Sequence, residues 1–386
     1  MIRYITAGES HGQSLTAIIE GLPAGLSIDE EYINRHLARR QVGYGRGERM
    51  NIEKDKVQIT SGVRWGETIA SPVALIVNNK DWENWGSTMS VDSSGKNPDE
   101  HLLKPRPGHA DLPGILKYDR EDVRDILERA SARETAARVA AGAFALRLLE
   151  EFDIKVFSYS VKIGNAGLEN LEVTSKDIDL IEASALRCPS PEVEKIMIEE
   201  IDTVQKNKDT LGGIFTVRVE GLPPGLGSHV QWDRKLDARI AAAILSIQAI
   251  KGVEFGIGFK SATLPGSKVH DEISYEKQEK KYYRKTNNAG GIEGGMTNGE
   301  PLIITAAMKP ISSLMKPLKS VNTITKEPVA SEKVRSDVCA LPAAGVVGEA
   351  AVALELASAL MEKTGGDSIR EMKRNYKAYL DQVRNF

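Results

Sequence analysis

Glu20-Gly21-Leu22-Pro23-Ala24-Gly25-Leu26 returns two hundred residues later as Glu220-Gly221-Leu222-Pro223-Pro224-Gly225-Leu226. A second echo pairs Arg138-Val139-Ala140-Ala141 with Arg239-Ile240-Ala241-Ala242, each opening an alanine-rich run that leads towards a strand. Two echoes of this kind favour two interleaved halves of similar build over independent domains. The expected organisation is therefore a single domain over residues 1–386.

Around the echoes, apolar or alternating runs predict strands at 17–19, 56–60, 73–77, 157–161, 214–219, 256–259 and 302–308. Helical spacing predicts one long helix over 121–151, capped by Asp119, and others over 236–250 and 348–363, with a weaker one over 192–206. Eight alanines between positions 130 and 145 leave the long helix little side chain, so it should pack closely on a neighbour. Strands and helices alternate irregularly and several strand pairs look like local meanders, which predicts an α+β fold of antiparallel sheets layered with helices.

The chain has 386 residues and a formal net charge of -3, from 51 Lys+Arg against 54 Asp+Glu. That balance excludes a globally basic nucleic-acid binder, and 41% hydrophobic residues exclude a disordered polyelectrolyte. Two cysteines, Cys188 and Cys339, are too few for a disulfide framework or a cysteine zinc site and read as reduced thiols. The six histidines form no His-Glu-x-x-His pattern, so no metal site is expected. The first residues show no signal pattern and no apolar run approaches the ~18 residues that span a bilayer, which places the expected protein in the cytoplasm, off the membrane.

The chemistry is concentrated. Fourteen of 23 arginines fall in residues 1–150, against six of 28 lysines. Arg35, Arg39, Arg40, Arg46 and Arg49 crowd one stretch, and Gly43-Tyr44-Gly45-Arg46-Gly47 is a glycine loop that lets backbone approach an anion while guanidinium forks grip its oxygens. It lacks the Gly-Lys-Ser/Thr of a nucleotide-triphosphate loop. A solvated basic face for RNA is the competing explanation, and with Tyr44 as the local aromatic it offers few stacking platforms. Arg129 and Arg133 should lie one turn apart on one helix face, with Glu128 and Glu134 as possible ion-pair partners.

His11, in Gly8-Glu9-Ser10-His11-Gly12, and His109, in Pro105-Arg106-Pro107-Gly108-His109-Ala110-Asp111, sit where backbone turns tightly, and Asp111 could orient the second ring. Two such settings point to acid and base chemistry near neutral pH. Five glycines within 290–299 ask for a sharply bent backbone, either a hairpin turn or a cradle for a phosphate or flat ring. Lys309-Pro310-Ile311-Ser312-Ser313 adds an ammonium and two hydroxyls, and Arg335-Ser336-Asp337 a cation beside a possible base.

In order and spacing, Gly8-Glu9-Ser10-His11-Gly12 through Glu20-Gly21-Leu22-Pro23, Glu128-Arg129-Ala130-Ser131-Ala132-Arg133-Glu134-Thr135 and Arg335-Ser336-Asp337 resemble the three signatures of the chorismate synthase family. Gln41-Val42-Gly43-Tyr44-Gly45-Arg46-Gly47, the segment 105–111 and Asn287-Asn288-Ala289-Gly290-Gly291 are similar to it as well, and the likeness runs from residue 3 to about residue 360. The resemblance implies a lyase that converts 5-enolpyruvylshikimate 3-phosphate to chorismate and phosphate by anti-1,4-elimination, the last step of the shikimate pathway toward aromatic amino acids. It implies reduced FMN without net redox change, NADPH as a possible source of electrons, and a possible external flavin reductase. The implied fold is a β-α-β sandwich with an internal pseudo-two-fold, assembled as a homotetramer.

Carried over position by position, the resemblance makes His11 the proton donor to departing phosphate, His109 the imidazole beside the reduced flavin, and Asp337 the residue that works with the flavin in removing the ring proton. Ser10, Arg40, Arg46, Arg49, Arg106, Arg133 and Arg335 would hold the trianionic substrate, and Arg40 and Arg46 are also the family's NADP positions. Flavin contacts fall on Arg129, Ala130, Ser131, Gln248, Ala249, Gly294, Lys309, Pro310, Ile311, Ser312, Ser313 and Arg335. Ala130 departs from the family, in which many members carry serine, so a hydroxyl contact there must be absent or replaced. A flavin oxidoreductase that spends NADPH in proportion to product is the alternative enzyme class.

Overall fold

Each copy of the repeated turn leaves the end of one strand and feeds the helix that covers that strand's sheet. The computed structural model describes residues 2–47, 53–169, 171–332 and 337–386. In the first half, β1 (Arg3–Ala7) and β2 (Ser14–Glu20) precede the turn, and α1 (Glu30–Gln41) follows it. Then come β3 (Val57–Ser61), a small hairpin of β4 (Val63–Arg64) and β5 (Glu67–Thr68), and β6 (Val73–Asn78). The sheet is antiparallel, in the order β1-β2-β6-β3. Three further helices, α2 (Asp111–Tyr118), α3 (Arg124–Ala130) and α4 (Thr135–Glu150), complete this half.

The second half runs through β7 (Lys155–Ile163), β8 (Ala166–Gly167), α5 (Ile178–Ala183), α6 (Pro191–Lys206), β9 (Gly213–Glu220), α7 (Leu236–Leu245) and β10 (Ile250–Phe255). Three hairpin strands pairs and one long strand follow: β11 (Ile273–Glu276) with β12 (Lys281–Arg284), β13 (Ile292–Glu293) with β14 (Met296–Thr297), β15 (Leu302–Met308), and β16 (Lys319–Val321) with β17 (Pro328–Ala330). Helices α8 (Leu341–Thr364) and α9 (Ile369–Arg384) end the chain. The second sheet is antiparallel in the order β10-β15-β9-β7-β8.

Between the sheets lies one helical layer. Helix α4 packs on β2 and β6, α8 on β7 and β9, and α4 on α8, with α1 and α7 flanking them. The sequence explains the closeness: a methyl group added at Gly142 would sit 2.4 Å from Cβ of Ala350 on the facing helix. Small residues at a crossing let backbones approach and bury both apolar faces. One large core runs from Ile2 to Met372 and takes in both sheets and the helices between them, and a small second cluster of Phe157, Val173 and Ile181 lies apart from it.

The repeated turns make matching hydrogen bonds. Thr68 Oγ1 donates to Pro23 O at 2.6 Å and accepts from Leu26 N at 3.0 Å. Thr297 Oγ1 donates to Pro223 O at 2.7 Å and accepts from Leu226 N at 2.9 Å. Gly25 and Gly225 adopt φ of 81° and 85°, a region that costs glycine little.

Several sequence expectations need correction. The helix over 121–151 is broken, because Ser131 takes an extended conformation and its Oγ accepts from Arg133 N, restarting the chain as a 3-10 turn before α4. Arg129 and Arg133 consequently do not share a face. Asp119 does not cap that helix; it is the left-handed residue that ends α2. No strand forms over 256–259, which lies in turns and a 3-10 segment. The strand is β10, and Ala249, at φ 67°, separates it from α7. The last core helix begins at Leu341 rather than 348. At 24 residues α8 is also long and apolar enough by composition to cross a membrane, but 89% of its apolar window is buried inside this protein. It is spent on the core.

Candidate active cleft

The ends of both sheets that carry chemistry face one another. In the first sheet, Ser14 pairs with Asn78 and Val57 with Val77, so the loop 8–13, Asn79 and Asp55 meet at one end. In the second, Gly213 and Ile250 both pair with Met308, which brings Thr210, Ala249 and Lys309 together. Lys309 N donates to Ala249 O at 2.9 Å.

At the first end, buried arginines are held by acids. Arg133 donates from Nη1 to Asp55 Oδ1 at 2.6 Å and from Nε to Asn79 Oδ1 at 2.9 Å, and its Nη2 lies 3.6 Å from Glu53 Oε2. Arg40 donates to the other oxygen of Asp55 at 3.3 Å. Asn79 Nδ2 in turn donates to the carbonyls of Glu9 and Gly12, tying the arginines to the histidine loop. Burial lowers the Arg40 guanidinium to about 10, with Asp55 opposing and the charges of Arg133 and Arg46 adding to the fall. It stays protonated at neutral pH. Arg40 Nε is buried with no hydrogen-bond partner among the described residues, and so is Arg133 Nη2. Unspent buried donors of this kind suit an anion, since leaving them unmade is costly.

Arg46 closes the cleft from the glycine loop. Its Nη1 lies 3.3 Å from Asp337 Oδ2, and Gly47 N donates to Asp337 Oδ1 at 2.6 Å. Val338 N donates to Gly45 O at 2.7 Å, so residues nearly three hundred positions apart form one wall. Asp337 and Ser313 share a cavity of about 280 Å³ with Lys208, Asp209 and Thr210. The competing explanation from the sequence is a solvated basic face. The structure instead pairs Arg40, Arg46, Arg106 and Arg133 each with a carboxylate, which fixes the guanidinium groups in place.

The two histidines occupy separate clusters. His11 Nδ1 faces Glu128 Oε1 at 2.9 Å, and its ring stacks on Trp85 at 4.0 Å with planes 27° apart. Ser131 Oγ donates to Ser10 Oγ at 3.1 Å beside it. His109 Nδ1 makes a very short contact with Asp111 Oδ1. Arg106 grips the same carboxylate through Nε and Nη2 and donates from Nη1 to Ser313 Oγ at 2.8 Å. Burial would raise the Asp111 carboxyl, but hydrogen bonds from His109 and Arg106 hold it far below the usual range. It is an ionised anchor.

Among the flavin positions, Ser131 adjoins Ser10, Ser313 adjoins Arg106, and Lys309 Nζ donates to Gly108 O. Gln248 Nε2 donates to Glu134 Oε1 at 2.9 Å, next to Arg133, while Gln248 Oε1 and Glu134 Oε2 are buried without a partner among the described residues. Arg129 spends its guanidinium on the carbonyls of Thr6 and Gly8. Gly294 stands apart. Leu236 N, at the start of α7, donates to Gly295 O, whereas Gln248 follows the end of that helix, about 15 Å away at 1.5 Å per residue. Arg49 and Arg335 lie outside the described residues. Sequence reasoning did not single out Asp55, Asn79, Trp85 or a Glu128–His11 pairing, because their partners are distant in the chain; a Glu-Lys-Asp-Lys run at 53–56 carried no visible signal.

An α+β sandwich whose sheet ends converge on buried guanidinium groups and two carboxylate-held imidazoles defines an enzyme that binds a small polyanion. A family model described as chorismate synthase matches residues 2–361. Relatives named chorismate synthase include those of Geotalea uraniireducens (strain Rf4), 57% identical over 394 residues, and Geobacter metallireducens (strain ATCC 53774 / DSM 7210 / GS-15), 57% identical over 393, each covering 100% of both chains. A solved structure described as a crystal structure of chorismate synthase is 44% identical, covers 100% of this chain and 99% of its own, and superposes with a TM-score of 0.81. The chain belongs to the chorismate synthase family. It is a lyase acting on a phosphate ester at the last step of the shikimate pathway, in a family that requires reduced flavin.

Proposed function

We propose that the cleft between the sheet ends holds 5-enolpyruvylshikimate 3-phosphate against reduced FMN, and that this chain's residues manage the two protons of the elimination. The observation that carries the reading is the convergence of Arg40, Arg46, Arg133 and Asp337, with Arg40 Nε buried and unspent. Phosphate and two carboxylates need preset donors in a water-poor site, where such contacts cost no reorganisation as charge develops. Ser10 and Arg106 lie on the same cleft, and Arg49 and Arg335 are assigned to the substrate by the resemblance alone.

His11 gives a proton to the leaving phosphate, and Asp337 accepts the ring proton, with Arg46 and Gly47 N fixing its carboxylate. When bound, reduced flavin would supply an electron-rich ring to the elimination. Arg129, Ala130, Ser131, Gln248, Ala249 and Lys309 to Ser313 would hold it, the buried acceptors of Gln248 and Glu134 suiting ring N–H groups. His109, braced by Asp111, balances the charge of the reduced ring. A decisive assay mixes reduced FMN and the phosphorylated substrate without oxygen; absence of phosphate release would sink the assignment. His11→Ala and His109→Ala should each slow turnover by ~100-fold or more.

Whether NADPH serves at Arg40 and Arg46 is tested by comparing NADPH plus oxidised FMN with chemically reduced FMN. Activity confined to the second mixture assigns the supply of electrons to an external reductase. We also read the chain as one unit of two interleaved halves, supported by the matched turn bonds of Thr68 and Thr297 and the shared core. A homotetramer fits two features. Cross-strand neighbours Ile5 and Ile18 expose 67% and 47% of their surface on the outer sheet face, and Gly294, at the opposite end of α7 from Gln248, is placed to serve a flavin held by another copy. As a biosynthetic enzyme of the shikimate pathway the protein is assigned to the cytoplasm on this reading, and its one long apolar helix among the described residues is buried in the core.

A further inference from the structure

The histidine of the first cluster is held more completely than an acid and a base need be. Glu128 Oε2 accepts from His11 N at 2.8 Å, while both carboxylate oxygens face His11 Nδ1, at 2.9 and 3.0 Å. Ser10 N donates to the carbonyl of the same glutamate at 3.0 Å. Glu128 is 2% exposed, and Trp85 covers one face of the imidazole. Burial would raise the Glu128 carboxyl, but the contacts from His11 and then the charge of Arg124 hold it below its ordinary value. An ionised carboxylate can only accept, so the nitrogen facing it must carry hydrogen.

We propose that Glu128 is a positioning residue for His11: it fixes the proton on Nδ1, sets the ring plane together with Trp85, and thereby makes Nε2 the nitrogen that exchanges a proton with substrate. The proposal rests on reading His11 as the proton donor. Its logic is that of a carboxylate that keeps one imidazole proton in place: with Nδ1–H pinned on Glu128, the charged ring gives up its proton from Nε2, and the neutral ring left behind carries hydrogen on Nδ1 alone. Arg124, 3.4 Å from Glu128 Oε1 and with its guanidinium carbon 5.1 Å from the Trp85 ring centre, adds a cation to the same cluster.

The test uses the full-length protein labelled with nitrogen-15 in its histidines, the His11 signals being assigned by their loss in His11→Gln. At a pH where the ring is neutral, wild-type protein should show Nδ1 protonated and Nε2 bare; the opposite tautomer overturns the proposal whatever any variant does. Glu128→Gln, equal in size, should lower kcat about 10- to 100-fold with KM changed less than about two-fold, and should scramble the tautomer. Unchanged kcat in Glu128→Gln beside a slow His11→Gln would refute the role of Glu128 alone. Wild-type turnover in His11→Gln would instead refute the donor role on which it rests. Should Glu128→Gln not fold, the wild-type tautomer still decides.

Discussion

Asp55 and Arg133 meet at 2.6 Å, carboxylate Oδ1 to guanidinium Nη1, with both side chains buried and 78 positions between them in the chain. The second oxygen of Asp55 serves Arg40, so one carboxylate positions two arginines of the cleft. Removing it takes from Arg40 its ion-pair partner among the described residues and leaves Arg133 with Glu53 alone, 3.6 Å from Nη2. Asp55→Ala should cost about 3–5 kcal/mol in urea unfolding, the usual scale for breaking a buried pair from one side. A loss below about 1 kcal/mol would show that the arginines find other partners.

Thr68 and Thr297 offer a direct comparison of the two halves. Thr68→Val and Thr297→Val each leave a buried backbone N–H and carbonyl without their hydroxyl, so each should cost roughly 1–3 kcal/mol, by similar amounts. The sites share no partner, so the double variant should be additive within about 0.5 kcal/mol. Unequal single losses would mean that the two turns carry different loads.

His36 sets a pH dependence. Burial first, and the charge of Arg39 next, lower its imidazole from 6.5 to about 4. Arg39 Nη1 lies 3.1 Å from His36 Nδ1, so the neutral ring accepts there. As pH falls from about 6.5 towards 4, the unfolded chain takes up a proton that the folded protein refuses, and stability should drop by an order of 1–3 kcal/mol. Below about 4 both states are protonated at this site and its contribution stops changing. Denaturant titrations of wild-type and His36→Gln protein over that range should diverge; parallel curves would remove His36 as the cause.

The thiols should be inert in the native state. Burial pushes the Cys339 thiol up to about 11 and also raises Cys188, and both are shielded by the core. A thiol-specific disulfide reagent at pH 8 should modify neither within minutes and both after denaturation. Rapid labelling of Cys339 in native protein would mean that the wall beside Gly45 and Asp337 opens readily.

Much of the architecture is visible in short-range pattern. The alternating run at 73–77 and the apolar run at 302–308 form the interior strands β6 and β15, because each buries alternate residues in the core. Helix α1 was missed although Asp29 caps it and acids open it, since its stretch reads foremost as a cluster of arginines. The break at Ser131 was missed for a different reason. Nothing local forbids helix there; the bond from Ser131 to Ser10 and the separate destinations of Arg129 and Arg133 are tertiary.

By itself, the sequence determined the residue types of the cleft and the repeated turn, because glycines at positive φ, proline spacing and clustered guanidinium groups follow from neighbours in the chain. Which acid meets which base was decided by the tertiary structure. Arg40 and Arg133 are joined by Asp55, Arg46 by Asp337, and His11 by Glu128. Three of those pairings gather at the end of the first sheet, and the fourth, Arg46 with Asp337, joins the two halves. Coulomb and hydrogen-bond energies depend on distances of a few ångströms, and the order of residues along a chain does not set distances between segments so far apart.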